Sequence, residues 1–229
     1  RKIDLRQSLK GANKFCGEYI PLRYKSRKDK HPPIIAICDV SGSMSRYSRM
    51  LLHFMHVLTT LRNDVHTFLF GTRLTNVTRF LRFKDVDEAL AATSSAVEDW
   101  SGGTRIGDCL KEFNFNWSRR VLGPGAIVLF ITDGLDRGGG IGLSKQIKLI
   151  QKSSKRLIWL NPLLRYEEFA PKPTGVKAIL PHVDEFRPIH SLESMDQLVN
   201  ALSETNLQSR FNMAPWLEKL SEIENAECH

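Results

Sequence analysis

Asp39, Ser41 and Ser43 stand at i, i+2 and i+4 in the stretch IIAICDVSGSM, Ile34 to Met44, with Gly42 between the two serines. In an extended loop alternate side chains point the same way, so one carboxylate and two hydroxyls can converge on a single point. Oxygen-only donors suit a hard divalent cation such as Mg²⁺, with Mn²⁺ or Ca²⁺ as alternatives, rather than zinc or copper. Three donors are too few, because Mg²⁺ takes six oxygens in near-octahedral geometry at about 2.0–2.1 Å. Two further oxygen groups occupy comparable places: Thr104 in the glycine loop SGGTRIG and Asp133 at the end of the apolar run in IVLFITDGLD. A helix-capping role for Asp39 with the serines as turn residues would account for the first segment only. The expected site is therefore Asp39, Ser41, Ser43, Thr104 and Asp133 around one divalent cation.

The elements that must position these residues alternate along the chain. Ile34–Cys38 is a continuous apolar run, the pattern of a strand buried on both faces. Arg49–Arg62 carries Met50, Leu51, Phe54, Met55, Leu58 and Leu61 at helical spacing. Val65–Phe70 reads as a strand and Arg73–Phe80 as a threonine-rich edge strand; Asp85–Val97 reads as a helix capped by Asp85, and Ile106–Trp117 as a second amphipathic helix. Ala126–Thr132 is another apolar strand, followed by a helix at Leu143–Ser153 and a strand at Arg156–Asn161 that Pro162 stops. A proline-broken loop through Pro171 and Pro173 leads to a short strand at Val183–Pro188 and a last helix at Leu192–Leu202. This alternation predicts an α/β fold: an open, mostly parallel, Rossmann-like sheet with helices on both faces and one antiparallel edge strand. Sites in such sheets lie at the carboxyl ends of strands, where Asp39 and Asp133 fall.

Three segments are expected: a basic extension over 1–30, an α/β domain over 31–204 and a tail over 205–229. In the tail, Phe211, Trp216, Leu217, Leu220 and Ile223 form an amphipathic pattern, and Pro215 suits the start of a short helix. The 229 residues, 41% hydrophobic, suffice for one good core. No run of about 18 apolar residues exists, so no membrane span is expected. No charged-then-apolar leader is visible in these residues. Cys16, Cys38, Cys109 and Cys228 are scattered without CxxC or other zinc-ligand spacing, which fits a reducing, cytoplasmic setting. The net charge of +8 owes much to Arg23, Lys25, Arg27, Lys28 and Lys30 in the extension. Such an arm suits an acidic protein surface better than nucleic acid, since no RNA-binding aromatic motif or helix-turn-helix pattern accompanies it.

Rival chemistries are less well furnished. Gly138, Gly139, Gly140 and Gly142 form no GxGxxG and precede no P-loop lysine–serine pair, so a phosphate cradle is not expected. His53 and His56, at i and i+3, flank a face carrying Phe54 and Met55 and read as packing rather than metal ligands. Asp39 as a phosphoryl-transfer nucleophile, in a Mg²⁺-dependent hydrolase or phosphatase, lacks a second acid two residues on. Ser41 as an acyl-transfer nucleophile lacks GxSxG. A binding module rather than an enzyme is the expectation, with a basic nucleic-acid-binding protein as a further alternative.

The set DVSGS, a loop threonine in GGT and an aspartate after an apolar strand resembles the metal-ion-dependent adhesion site (MIDAS) of von Willebrand factor A domains. FGTRLTNVTR (70–79), WSGGTRIGDCL (100–110), ITDGLDRG (131–138), IWLNPL (158–163) and LPHVDEF (180–186) further resemble its CoxE-like branch, from about Arg1 to Leu202. The resemblance implies that Ser41, Ser43 and Thr104 touch the metal through hydroxyls. Asp39 and Asp133 would then act through bound water, leaving the ion attractive to a carboxylate from a partner. It also implies a bacterial, cytoplasmic protein working beside a MoxR-type AAA+ ATPase in the maturation or remodelling of a client enzyme. The best-known client of that kind is a molybdenum hydroxylase, carbon monoxide dehydrogenase.

Overall fold

The computed structural model describes residues 3–12, 21–24, 31–97, 100, 103–140, 142–166, 169–203 and 213–227. The chain divides into two compact units, 1–31 and 32–229. In the first, helix α1 (Leu5–Ala12) is capped by Asp4, whose Oδ1 accepts the Gln7 N–H at 3.1 Å. An antiparallel bridge joins Ile3 to Tyr24, and the Arg23 N–H donates to Ser8 Oγ at 2.8 Å. Basic residues Lys25, Arg27, Lys28 and Lys30 lie outside the described residues, as do Cys16, Cys228 and Phe211.

The second unit is built on a six-stranded sheet in the order β3-β2-β1-β4-β5-β6. The strands are β1 (Ile34–Asp39), β2 (Val65–Phe70), β3 (Leu74–Asn76), β4 (Ile127–Ile131), β5 (Arg156–Asn161) and β6 (Glu185–Pro188). All pairings are parallel except β2 with β3. This is the mostly parallel sheet with one antiparallel edge that the sequence predicts.

β1 is buried along its whole length because both faces are covered. Ile34, Ala36 and Cys38 face a layer formed by α2 (Ser45–Leu61), α3 (Val86–Ala96) and α8 (Leu192–Ser203), through residues such as Leu51, Met55, Leu90 and Leu198. Ile35 and Ile37 face the opposite layer: α4 (Ile106–Glu112), α6 (Leu143–Ser153), α7 (Thr174–Ile179) and α9 (Ala214–Glu227). Alternate side chains of one strand thus feed two cores, and each fully buried Ile, Leu or Phe contributes about 1.5–3 kcal/mol.

Several elements differ from the sequence reading. The expected edge strand Arg73–Phe80 contracts to β3, because Thr78 turns inward: its Oγ1 accepts the Thr67 N–H at 3.0 Å, and the chain coils into a 3₁₀ turn over Phe80–Arg82. The helix expected over Ile106–Trp117 runs as α4, then a π turn (Phe113–Trp117), then α5 (Ser118–Val121). The wider turn lets Phe113 and Trp117 both pack edge-on against Phe68, with centroids 5.2 and 5.3 Å away. The loop through Pro171 and Pro173 ends in α7, too short for a periodicity to show. The tail helix that Pro215 suits does form, longer than expected, as α9, placing Trp216 5.2 Å from Phe186 and burying Leu220.

The strand order reverses at β1, with β2 on one side and β4 on the other. Cys38 pairs with Ile131, so Asp39 and Thr132 come level at the carboxyl edge of this switch point.

Candidate metal centre

Asp39 ends β1 and is 1% exposed. Its Oδ1 accepts the Ser41 N–H at 2.8 Å and its Oδ2 accepts the Thr132 hydroxyl at 2.8 Å. Both oxygens are therefore aimed by neutral donors, one from its own loop and one from the next strand. Ser41 continues in extended conformation and the chain then tightens into a 3₁₀ turn, Gly42–Met44, whose Met44 side chain is buried. This anchors the loop so that Ser41 Oγ lies 3.2 Å from Ser43 Oγ, the first buried and the second exposed.

Thr104 lies before α4 and is buried; its carbonyl accepts the Arg137 N–H at 3.0 Å. Asp133 follows β4, is 2% exposed, and accepts the Leu135 N–H on Oδ1 at 3.0 Å. Ser41, Ser43 and Thr104 line one open cleft of about 470 Å³, with Asp136, Arg137 and Gly175 on its other walls. Asp39 and Asp133 do not line the cleft; they are buried at the strand ends, tied to cleft residues through the Ser41 and Leu135 N–H groups respectively. The structure so brings the three hydroxyls to one cavity, with the two carboxylates behind them.

Burial pushes the Asp39 carboxyl up to about 6; the Ser41 and Thr132 hydrogen bonds oppose the rise and the Asp133 charge adds to it. Among the described residues no basic side chain pairs with Asp39 or Asp133. Buried carboxylates without a base are costly. Two of them beneath hydroxyl oxygens form a donor set that fits a hard divalent cation. No group of three His, Cys, Asp or Glu side chains suited to a metal occurs among the described residues, so hydroxyls must complete any such site.

Several positioning residues escaped the sequence reading. Thr132 bridges the site, donating to Asp39 while accepting the Gly134 N–H at 3.1 Å. Trp159 Nε1 donates to the Thr132 carbonyl at 3.0 Å and Asn161 Nδ2 to the Asp133 carbonyl at 3.3 Å. The segment IWLNPL therefore has a physical role: β5 pins the end of β4 from the side. Asp136 accepts the Ile106 N–H at 2.9 Å and the Gly140 N–H at 3.0 Å, joining the β4 loop to the start of α4. A Cβ on Gly175 would stand 2.2 Å from the Gly134 carbonyl oxygen, so α7 approaches the site loop as closely as glycine allows. The spacing of Asp136 three residues after Asp133 was the available signal for one of these; the others depend on cross-strand register.

The remaining candidates separate. His53 is exposed, whereas His56 is buried and bonded through Nε2 to the Phe83 carbonyl at 2.9 Å. Cys38 and Cys109 are free and buried; burial pushes the Cys109 thiol up to about 12 and the Cys38 thiol higher still.

Solved structures share this architecture. Proximal thread matrix protein 1 from the mussel byssus is 18% identical, covering 76% of this chain and 47% of that one, with a TM-score of 0.53. A form of it with a zinc-occupied MIDAS motif matches at the same identity and coverage, with a TM-score of 0.50. The pilus adhesin SpaC from Lactobacillus rhamnosus GG, in its open conformation, is 13% identical over 79% of this chain and 30% of that one, with a TM-score of 0.51. The chain thus spans about half of the byssus protein and under a third of the adhesin. At these identities the likeness concerns the fold. No curated protein matches the chain. The family described as VWA domain containing CoxE-like protein matches over residues 1–195. With that match across most of its length, the chain belongs to the CoxE-like von Willebrand factor A family.

Proposed function

We propose that this protein is a metal-dependent protein-interaction module rather than an enzyme. Ser41, Ser43 and Thr104 supply hydroxyl ligands to one divalent cation, and Asp39 and Asp133 stand behind as charge-balancing acceptors. The observation that carries this reading is the pair of buried carboxylates at the ends of β1 and β4, with no basic partner among the described residues, beneath a hydroxyl-lined cleft. When bound, the cation supplies an electrophilic point for an incoming carboxylate. The protein's own part is to hold three neutral oxygens forward and keep both formal charges buried, so that the cation's charge is not spent on anionic ligands at the surface.

Mg²⁺ is the proposed metal. The zinc in the byssus protein's MIDAS motif makes Zn²⁺, Mn²⁺ and Ca²⁺ the competitors to test. No histidine lines the cleft among the described residues, which favours docking over hydrolysis.

Membership of the CoxE-like family supports a MoxR-type AAA+ ATPase as the partner and an acidic surface on a client enzyme as the target, with a molybdenum hydroxylase as the model client. The setting proposed is the cytoplasm; no helix among the described residues is long and apolar enough to cross a membrane. The test is capture of a purified MoxR-type ATPase or client with and without EDTA. Complex formation should be lost in EDTA, restored by Mg²⁺, and weakened by Ser43→Ala or Thr104→Ala while ATP hydrolysis by the isolated partner is unchanged. Equal capture in EDTA would mean that the metal has no docking role.

A further inference from the structure

Arg137 is held in place by its neighbours without its charge being used by them. The preceding residue, Asp136, accepts the Ile106 and Gly140 N–H groups on its two carboxylate oxygens, which fixes the loop from below. The Arg137 N–H itself donates to the Thr104 carbonyl at 3.0 Å, linking its backbone to the threonine of the site. The guanidinium lies over Gly103: a Cβ built there would stand 2.6 Å from both Cζ and Nη1. The side chain is exposed, makes no ion pair among the described residues, and is the cationic member of the cleft lining. Arg165, on the loop after β5, differs in that its guanidinium already stacks 4.4 Å from the Tyr166 ring and 5.8 Å from the Tyr47 ring.

A carboxylate has two oxygens, and a single cation in the cleft leaves one of them free. A planar guanidinium beside the hydroxyls can take it with a fork of N–H donors, as a lysine ammonium cannot. We infer that Arg137 is the second anchor for the partner's acidic side chain, so that the cleft reads a glutamate or aspartate by cation and arginine together. This rests on the cation reading given above. It predicts a sharper preference for carboxylate over neutral oxygen ligands than the cation alone gives, and one that shrinks when Arg137 is removed, because an amide or hydroxyl leaves the guanidinium without an anion.

The experiment is a titration of the ¹⁵N-labelled protein, in saturating Mg²⁺, with capped tripeptides Gly-Glu-Gly and Gly-Gln-Gly, beside calorimetry of Mg²⁺ alone. The glutamate peptide should bind and the glutamine peptide should not. Arg137→Ala should weaken the glutamate peptide about ten-fold, the size of one charge-assisted hydrogen-bond pair. Mg²⁺ affinity should not fall, since removing a cation cannot hinder another. Arg137→Lys should recover only part of the loss, and Arg165→Ala should cost little. If Arg137→Ala lowers the melting temperature, Gly103→Ala serves instead: the new methyl displaces the guanidinium without deleting it and should weaken the peptide several-fold. Equal peptide binding by wild type and Arg137→Ala, full recovery by Arg137→Lys, or no peptide binding by Mg²⁺-loaded wild type overturns the inference. Absence of Mg²⁺ binding in the calorimetry would instead overturn the cation reading beneath it.

Discussion

Two places in this sheet bury carboxylates, and they solve the problem of charge in opposite ways. Glu185, at the start of β6, is 0% exposed and clamped by two arginines. Arg156 Nε donates at 2.9 Å and Arg187 Nε at 2.7 Å, while Arg156 also reaches the Ala201 carbonyl at 3.1 Å. Asp39 and Asp133, buried as deeply, have hydroxyls and backbone N–H groups around them and no described base. The first arrangement is closed, with charge balanced by the chain itself. The second is open, and its balance must come from outside. Burial alone therefore does not tell the two places apart; the nature of the partners does.

The largest effect expected from breaking this contrast is at the closed site. Glu185→Ala would remove the carboxylate that Arg156 and Arg187 share, and removing one partner of such a buried network costs about 3–5 kcal/mol. Urea denaturation should register the loss, and Mg²⁺ should not restore it.

At the open site the sign should differ. Asp39→Asn removes a buried charge that nothing in the chain balances, so in EDTA the variant should be as stable as wild type or slightly more so. Its cost should appear in the metal: a supporting carboxylate of this kind is worth about 10–100-fold in affinity, and the Mg²⁺-induced rise in melting temperature should largely vanish. Wild type should also show the corresponding pH dependence. The folded-state value of about 6 lies above the ordinary aspartate value of about 3.9. The metal-free folded state therefore holds the Asp39 proton more tightly than the unfolded chain does. The stability this gives is complete below about pH 4 and is lost as pH rises through about 6. Metal binding should run the other way, tightening as pH rises through the same window because protons compete for the carboxylate. Denaturation and calorimetry at pH 5 and 8, each in EDTA and in Mg²⁺, would expose a wrong sign.

The two sites were also unequally legible in the sequence. The open site could be read because its residues lie in short loops where spacing is informative: Asp39, Ser41 and Ser43 alternate in one segment, and Thr104 and Asp133 stand in distinctive glycine-containing surroundings. The sheet was legible because Ile34–Cys38 and Ala126–Thr132 are apolar on both faces, which in a chain this size implies helices on either side. What could not be read was whatever depends on register between distant segments. The clamp of Arg156 and Arg187 on Glu185 joins two strands, and Trp159 and Asn161 act on β4 carbonyls. Thr132 looked like one more strand residue, although its side chain completes the Asp39 site. The helix α7 lacked a signal of another kind: its six residues are too few for a 3.6-residue period to emerge, and prolines precede it.

Thr132 offers the finest test of the comparison, because it performs with a neutral hydroxyl the orienting task that arginines perform at Glu185. Thr132→Val keeps the shape but removes the donor to Asp39 Oδ2 and the acceptor for the Gly134 N–H. The stability loss should be about 1 kcal/mol, near that of one net hydrogen bond, and Thr132→Ser should recover most of it. Metal binding should weaken only a few-fold, since Asp39 keeps its charge and its bond from the Ser41 N–H. The more telling shift is in pH. The Thr132 hydroxyl stabilises the ionised carboxylate, so without it Asp39 holds its proton to higher pH, and the midpoint for Mg²⁺ binding should move upward in Thr132→Val and return in Thr132→Ser. A midpoint unmoved by the valine would mean that the hydroxyl aims the carboxylate without tuning it, whereas the arginines at the closed site both aim theirs and balance its charge.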